Sequence, residues 1–132
     1  MYIPVEKAKK DLEGDNPELI KRPKANTQEL KTALEDPLFK PGFSEDKSIK
    51  ASGRETTSDE RQRIQPLGDA FGCHHGGPKS KPWYADHQPV SELLARGLVP
   101  GVSEQRLYPQ SSVKSSQQGN KVKEVIKIAF GE

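Results

Sequence analysis

The chain has 132 residues, 31% of them hydrophobic and 30% charged, with 11 Gly and 11 Pro. Globular domains carry roughly 45–50% apolar residues, so the composition predicts one thin-cored unit with an extended or partner-ordered portion. The net charge is +2, too small for the basic stripe of a dedicated nucleic-acid binder, although a local basic groove needs no large global charge.

Three further features bound the class. Cys73 is the single cysteine, so no internal disulfide framework is expected. No apolar run approaches the ~20 residues of a membrane helix. The opening "MYIPVEKAKKDL" lacks the apolar region of a signal peptide. Together they suggest a soluble chain working in a reducing compartment.

Residues 1–56 read as a charged linker or partner-ordered segment. "IPVEKAKKDLEG" is a weak helical pattern ending at Gly14; "NTQELKTALEDP" is a second, with Asn26 or Thr27 as N-cap and Pro37 as stop. "LFKPGFSEDKSIKASG" reads as loop. Residues 57–132 form the second unit. "TSDERQRIQPLGDAFG" opens with an N-cap and early acids and is expected to break at Pro66. "GCHHGGPKSKPWYADHQP" is turn-rich and ends in a strand-like Trp83-Tyr84-Ala85. "VSELLARGLVPG" predicts a short helix capped by Ser91 and stopped at Gly97. "SSVKSSQQGN" predicts another short helix before Gly119, and "KVKEVIKIAF" a final strand. The predicted order is therefore α, β, α, α, β.

Two stretches carry candidate chemistry. In "YADHQP", Asp86 offers a carboxylate for a divalent metal and His87 an imidazole that accepts a proton from water. Adjacent strand residues point to opposite faces, so this division of labour needs a twist or turn. The competing structural reading is an Asp that caps a loop beside a solvent-facing His. In "QRLYPQ", Arg106 either clamps a phosphate or pairs with Asp86 or Glu104, while Tyr108-Pro109 reads as a packing corner. Cys73, His74 and His75 admit a metal or Cys–His nucleophilic reading beside a plain loop. Lys79, Lys81, Lys121 and Lys123 read as solvated lysines or as a phosphate path.

Taken together, Gly72-Cys73-His74-His75, Asp86-His87-Gln88-Pro89 and Gln105 through Gln110, followed by Ser115, Gln118 and Gly119, resemble the HNH-type nucleases. More closely they resemble the C-terminal toxin domains of bacterial polymorphic toxins (contact-dependent inhibition, Rhs and type VI effector types). The similarity spans roughly residues 52–120. It implies an α+β fold, a small ββα treble-clef-like unit behind a mostly helical or irregular N-terminal segment. It also implies a metal-dependent endonuclease that cleaves phosphodiesters of DNA or RNA. Asp86 would be metal ligand, His87 general base and Arg106 phosphate clamp, with Ser115 and Gln118 as further metal positions and Lys121 and Lys123 along the substrate. Mg²⁺, Mn²⁺ or Zn²⁺ would be the cofactor and a cognate immunity protein the partner. The toxin would be secreted or delivered as part of a larger protein and act in a target-cell cytoplasm.

The chain departs from that pattern at its zinc knuckles. Only Cys73 remains of four cysteine positions; Gly76, Ser111 and Lys114 stand at the others. No structural zinc is expected, and some other interaction must supply the folding energy. Two alternatives follow: a metal-independent RNase using His87 with His74 or His75 as an acid–base pair, and a catalytically dead binding module.

Overall fold

The structure is a computed structural model that describes residues 28–77, 81–100 and 104–131. Its elements in chain order are α1 (Gln28–Leu34), two 3-10 turns (Pro37–Phe39 and Glu45–Lys47), β1 (Ile49–Lys50), α2 (Ser58–Phe71), β2 (Tyr84–Gln88), α3 (Ser91–Ala95), β3 (Arg106–Gln110) and α4 (Ser112–Phe130). The three strands form one antiparallel sheet in the order β1-β3-β2. Helices and a small sheet together make an α+β fold.

Helix α2 begins where the N-cap signal places it. The Thr57 hydroxyl accepts the Glu60 N–H and the Glu60 carboxylate accepts the Thr57 N–H, a complete capping box. The helix runs through Pro66 instead of breaking there. Its packing is the reason: Ile64 is fully buried, and the backbone at Gly68 lies against the Trp83 indole. Gln65 further ties α2 to residue 83, donating to the Trp83 carbonyl and accepting the Trp83 N–H.

The expected final strand is instead the second half of a single 19-residue helix, α4, which passes straight through Gly119. Val122, Val125, Ile126, Ala129 and Phe130 recur at i, i+3, i+4, i+7 and i+8, a helical stripe that short-range alternation mimics. That stripe packs on Leu30, Phe39, Val90 and Leu93. Residues 28–56 are therefore built into the molecule and do not hang from it as a linker; residues 1–27, with the predicted helix ending at Gly14 and the Asn26 or Thr27 cap, lie outside the described residues.

Tyr108-Pro109 is not a corner but part of β3, the central strand. Proline is tolerated in it because β1 pairs only with Arg106 and Leu107. Beyond them the Pro109 carbonyl accepts the His74 N–H at 2.9 Å, so the strand continues by pairing with the turn after α2. Opposite it, β2 pairs along its whole length, with Asp86 beside Tyr108 and His87 beside Leu107. A second small core, of Ala51, Ile64, Cys73, Trp83 and Leu107, fills the space between α2 and the sheet. Helix α3 starts one residue earlier than expected: Ser91 is its first residue and not its cap, which is Val90.

Candidate metal centre

Alternation along β2 decides what meets what. Ala85 and His87 share one face with Leu107 and look toward α2; Asp86 and Gln88 share the other with Tyr108 and Gln110. Asp86 and His87 therefore do not act on a common point. His87 Nε2 donates to the Gly53 carbonyl at 2.8 Å, tying β2 to the loop before α2. The predicted general base sits in a structural bond on the wrong side of the sheet.

Asp86 is buried, and its Oδ2 is a hub. It accepts from His74 Nε2 at 2.8 Å, Gln88 Nε2 at 2.9 Å, Gln118 Nε2 at 3.1 Å and Gln110 Nε2 at 3.3 Å. The amides also bridge outward. Gln88 and Gln118 both donate to the Leu38 carbonyl, and Gln110 donates to His75 Nδ1 at 3.0 Å. One carboxylate thus joins the 38–42 loop, the 73–76 turn, both long strands and α4. Gln88 Oε1 is buried without a partner, while its amide nitrogen is fully used.

The two imidazoles are fixed by what their other nitrogens do. His74 Nδ1 accepts the Gly42 N–H at 3.0 Å, so the ring proton is on Nε2 and points at Asp86. Its side chain is fully enclosed, stacked on Tyr108 with centroids 5.0 Å apart and lying 3.7 Å from the His75 ring. His75 Nε2 donates to the Lys40 carbonyl at 2.8 Å, which leaves the Nδ1 lone pair turned inward. Burial holds the His75 imidazole below its usual range; the Lys40 carbonyl and Asp86 work against that, while His74 and Lys114 add to it.

Donor atoms of His74, His75 and Asp86 all lie within 4.8 Å of one another, a group that could hold a metal ion. His75 fits the role best: it donates its outer N–H to a backbone carbonyl, as metal-bound histidines usually do, and an ion would take the place of the Gln110 amide on its inner Nδ1. Asp86 supplies the carboxylate. His74 becomes a ligand through Nε2 only if its proton moves and the Gly42 bond is given up. Two imidazoles and one carboxylate suit Zn²⁺ or Mn²⁺ better than Mg²⁺, which prefers oxygen donors throughout.

The other predicted site residues lie elsewhere. Arg106 is committed to Glu104 at 2.7 Å, to the Ser48 hydroxyl at 2.6 Å and to the Glu45 and Ser48 carbonyls, so its guanidinium is a brace for the first loop and not a free phosphate clamp. Gln118 does reach Asp86, as an N–H donor. Ser115 lies in the first turns of α4, where its N–H bonds the Ser111 carbonyl. Lys121 pairs with Glu124 at 3.6 Å, and Lys123 is exposed on the same helix. Residue 79 is outside the described residues, and Lys81 pairs with Asp69 at 3.2 Å.

Gln88, Gln110 and Gly42 also carry the site; the first two lie inside the quoted motifs, but nothing in the sequence assigned them a role. Gln88 was legible in principle, because it is two residues from Asp86 on a strand and so shares its face. Gln110 needed the β2–β3 register, and Gly42 a contact across 32 residues.

No family of known proteins, no curated protein and no solved structure matches the chain. Among the described residues, no helix is long and apolar enough to cross a membrane.

Proposed function

We propose that the chain is a metal-dependent nuclease domain of HNH-like type whose reaction centre is His75 and Asp86, with His74 beside them, and not Asp86 with His87. The observation that carries this reading is the convergence of two imidazoles and a carboxylate at a β-strand pair followed by the first turns of a helix. The retained turn at the former knuckle supports it: the Gly76 N–H bonds the Cys73 carbonyl, and the Ser111 hydroxyl accepts the Lys114 N–H. The Asp86 hub joins the elements that a structural zinc would otherwise hold. The toxin role, delivery into a competitor cell and neutralisation by an immunity protein rest on the sequence motifs.

In this reading His75 and Asp86 hold the ion and His74 orients Asp86. A bound ion would lower the pKa of its water and offset charge on a scissile phosphate. The chain's own part is positional: Lys40 fixes the His75 ring through its carbonyl, Gly42 fixes His74, and the glutamine amides hold Asp86 in place. Beside His75 opens a cavity of about 590 Å³, lined among others by Lys40, Gly42 and Lys114, with room for a phosphodiester.

One observation favours a binding module without catalysis: Oδ2 of Asp86 is saturated by donors and both nitrogens of His74 are engaged. Incubation of plasmid DNA and total tRNA with the wild-type chain, with and without EDTA, separates the readings. Metal-dependent cleavage lost in His75→Ala and kept in His87→Ala supports the nuclease. Cleavage of RNA indifferent to EDTA replaces the mechanism with metal-free acid–base chemistry, and cleavage of neither leaves the binding module.

A further inference from the structure

Next to the cluster lies an aromatic ladder that the nuclease reading does not use. Phe71, the last residue of α2, is 45% exposed. It meets the Phe43 ring edge-on with centroids 6.3 Å apart, and Phe43 in turn meets His74 at 6.2 Å. Lys47 stands over both phenyl rings, 4.8 Å from the centroid of Phe71 and 5.4 Å from that of Phe43. The ladder therefore runs from an exposed ring on the surface, through Phe43 and His74, to His75.

The cavity beside His75 adjoins the ladder through His74, which lines the cavity and meets Phe43. Phe43 follows directly on Gly42, which lines the cavity with Lys40 and Lys114. No ion pair within the described residues engages either lysine. Lys114 lies along the 73–77 turn, where a side chain on Gly77 would meet its Cε at 3.7 Å. The cavity's acids are Glu35 and Asp36, and the Asp36 carboxylate is committed to capping the Leu38 N–H.

From this arrangement we infer that Phe71 and Phe43 form a base-stacking platform for a single-stranded polynucleotide, whose backbone then passes Lys47 and enters the Lys40–Lys114 cavity at His75. The inference rests on the proposed nuclease reading for its substrate class. Its physical basis is independent. Every nucleobase has a flat face that stacks on an aromatic ring regardless of sequence, while lysines track the phosphates. Bases in a duplex are already stacked on one another, so an exposed phenyl ring recruits splayed, single strands. Lys47 puts an ammonium on the rings themselves, beside the acids Glu45 and Asp46 of its own turn, and a cation at that point suits a polyanion better than an apolar protein segment.

The test is fluorescence anisotropy with labelled RNA and DNA oligonucleotides of about 12 residues, long enough to cover one such binding site, single-stranded and duplex, in EDTA so that metal-dependent cleavage cannot interfere. Phe71→Ala and Phe71→Leu are expected to weaken single-strand binding by about 5- to 150-fold, as the loss of one stacked base would. Phe71→Trp is expected to restore it, and Lys114→Ala to reduce its salt dependence. Leu keeps the apolar bulk but has no ring face, so Phe71→Leu binding like wild type overturns the platform, as does a duplex that competes as well as a single strand. The RNA and DNA arms report which sugar the cavity accepts. Cleavage is scored separately: single-strand binding through Phe71 with no cleavage keeps the platform and sinks the nuclease, and cleavage unaffected by Phe71→Leu does the reverse.

Discussion

Asp86 shows how much one buried side chain can be asked to do. Removing its carboxylate leaves the N–H groups of His74, Gln88 and Gln118 inside the molecule with one acceptor fewer. Each buried donor left unmade costs about 1–3 kcal/mol. Asp86→Ala is therefore expected to lower the free energy of unfolding by about 3–5 kcal/mol, read from urea denaturation, and an unchanged midpoint would remove the hub from the account. Gly42 is the companion case. A Cβ there would lie 1.5 Å from the His74 carbonyl oxygen, so Gly42→Ala must push the loop away and break the Gly42–His74 bond. The expected loss is about 1–3 kcal/mol, together with weaker metal binding.

Glu60 contributes to the acid side of the stability curve. Burial pushes its carboxyl up, but the N–H groups of Thr57 and Ser52, which it accepts in the native state only, more than offset this and hold it below its usual 4.5. Its stabilisation is then complete above about pH 4.5 and disappears as pH falls through the lower native value. Glu60→Gln should flatten that part of the melting-temperature profile. A variant curve parallel to wild type below about pH 4.5 would remove Glu60 from the account.

At the scale of the element, two glycines inside helices make opposite predictions. In α4, a methyl group placed on Gly119 would meet nothing within 4 Å, so Gly119→Ala should stabilise by roughly 0.5–1 kcal/mol through helix propensity alone. Gly68 in α2 faces the Trp83 ring, whose Cγ would stand 2.1 Å from the new Cβ. Gly68→Ala should destabilise by about 1–3 kcal/mol despite the same propensity gain. Paired urea titrations decide it, and the same sign for both variants would mean that α2 does not lie on Trp83.

Across the whole molecule, metal binding and folding should be linked, because the cluster draws on the 38–42 loop, the 73–76 turn and both long strands. Zn²⁺ or Mn²⁺ at about 100 times its dissociation constant should add about 2.7 kcal/mol to the free energy of unfolding. The resulting rise in melting temperature should vanish in His75→Ala and persist in His87→Ala, since His87 bonds Gly53 on the far face. An equal rise in both variants would place the ion elsewhere.

Much of this architecture is legible in the order of residues alone. The N-cap at Thr57, the stop after α1 and the strand leading into Asp86 all follow from local chemistry: caps, turn formers and the aromatic run at Trp83-Tyr84. These signals act over three or four residues and need no partner. The sequence by itself also marked His74, His75, Asp86 and Gln118 as candidates. Only tertiary structure decided their grouping. Strand alternation separated Asp86 from His87, the β2–β3 register brought in Gln110, and a contact over 32 residues set the His74 tautomer. It likewise turned "KVKEVIKIAF" into helix, because the stripe Val122–Phe130 has a core to face only once Leu30, Phe39 and Leu93 are in place. Local signals state what a segment can become; which face is buried, and therefore which side chains meet, is a property of the packed whole.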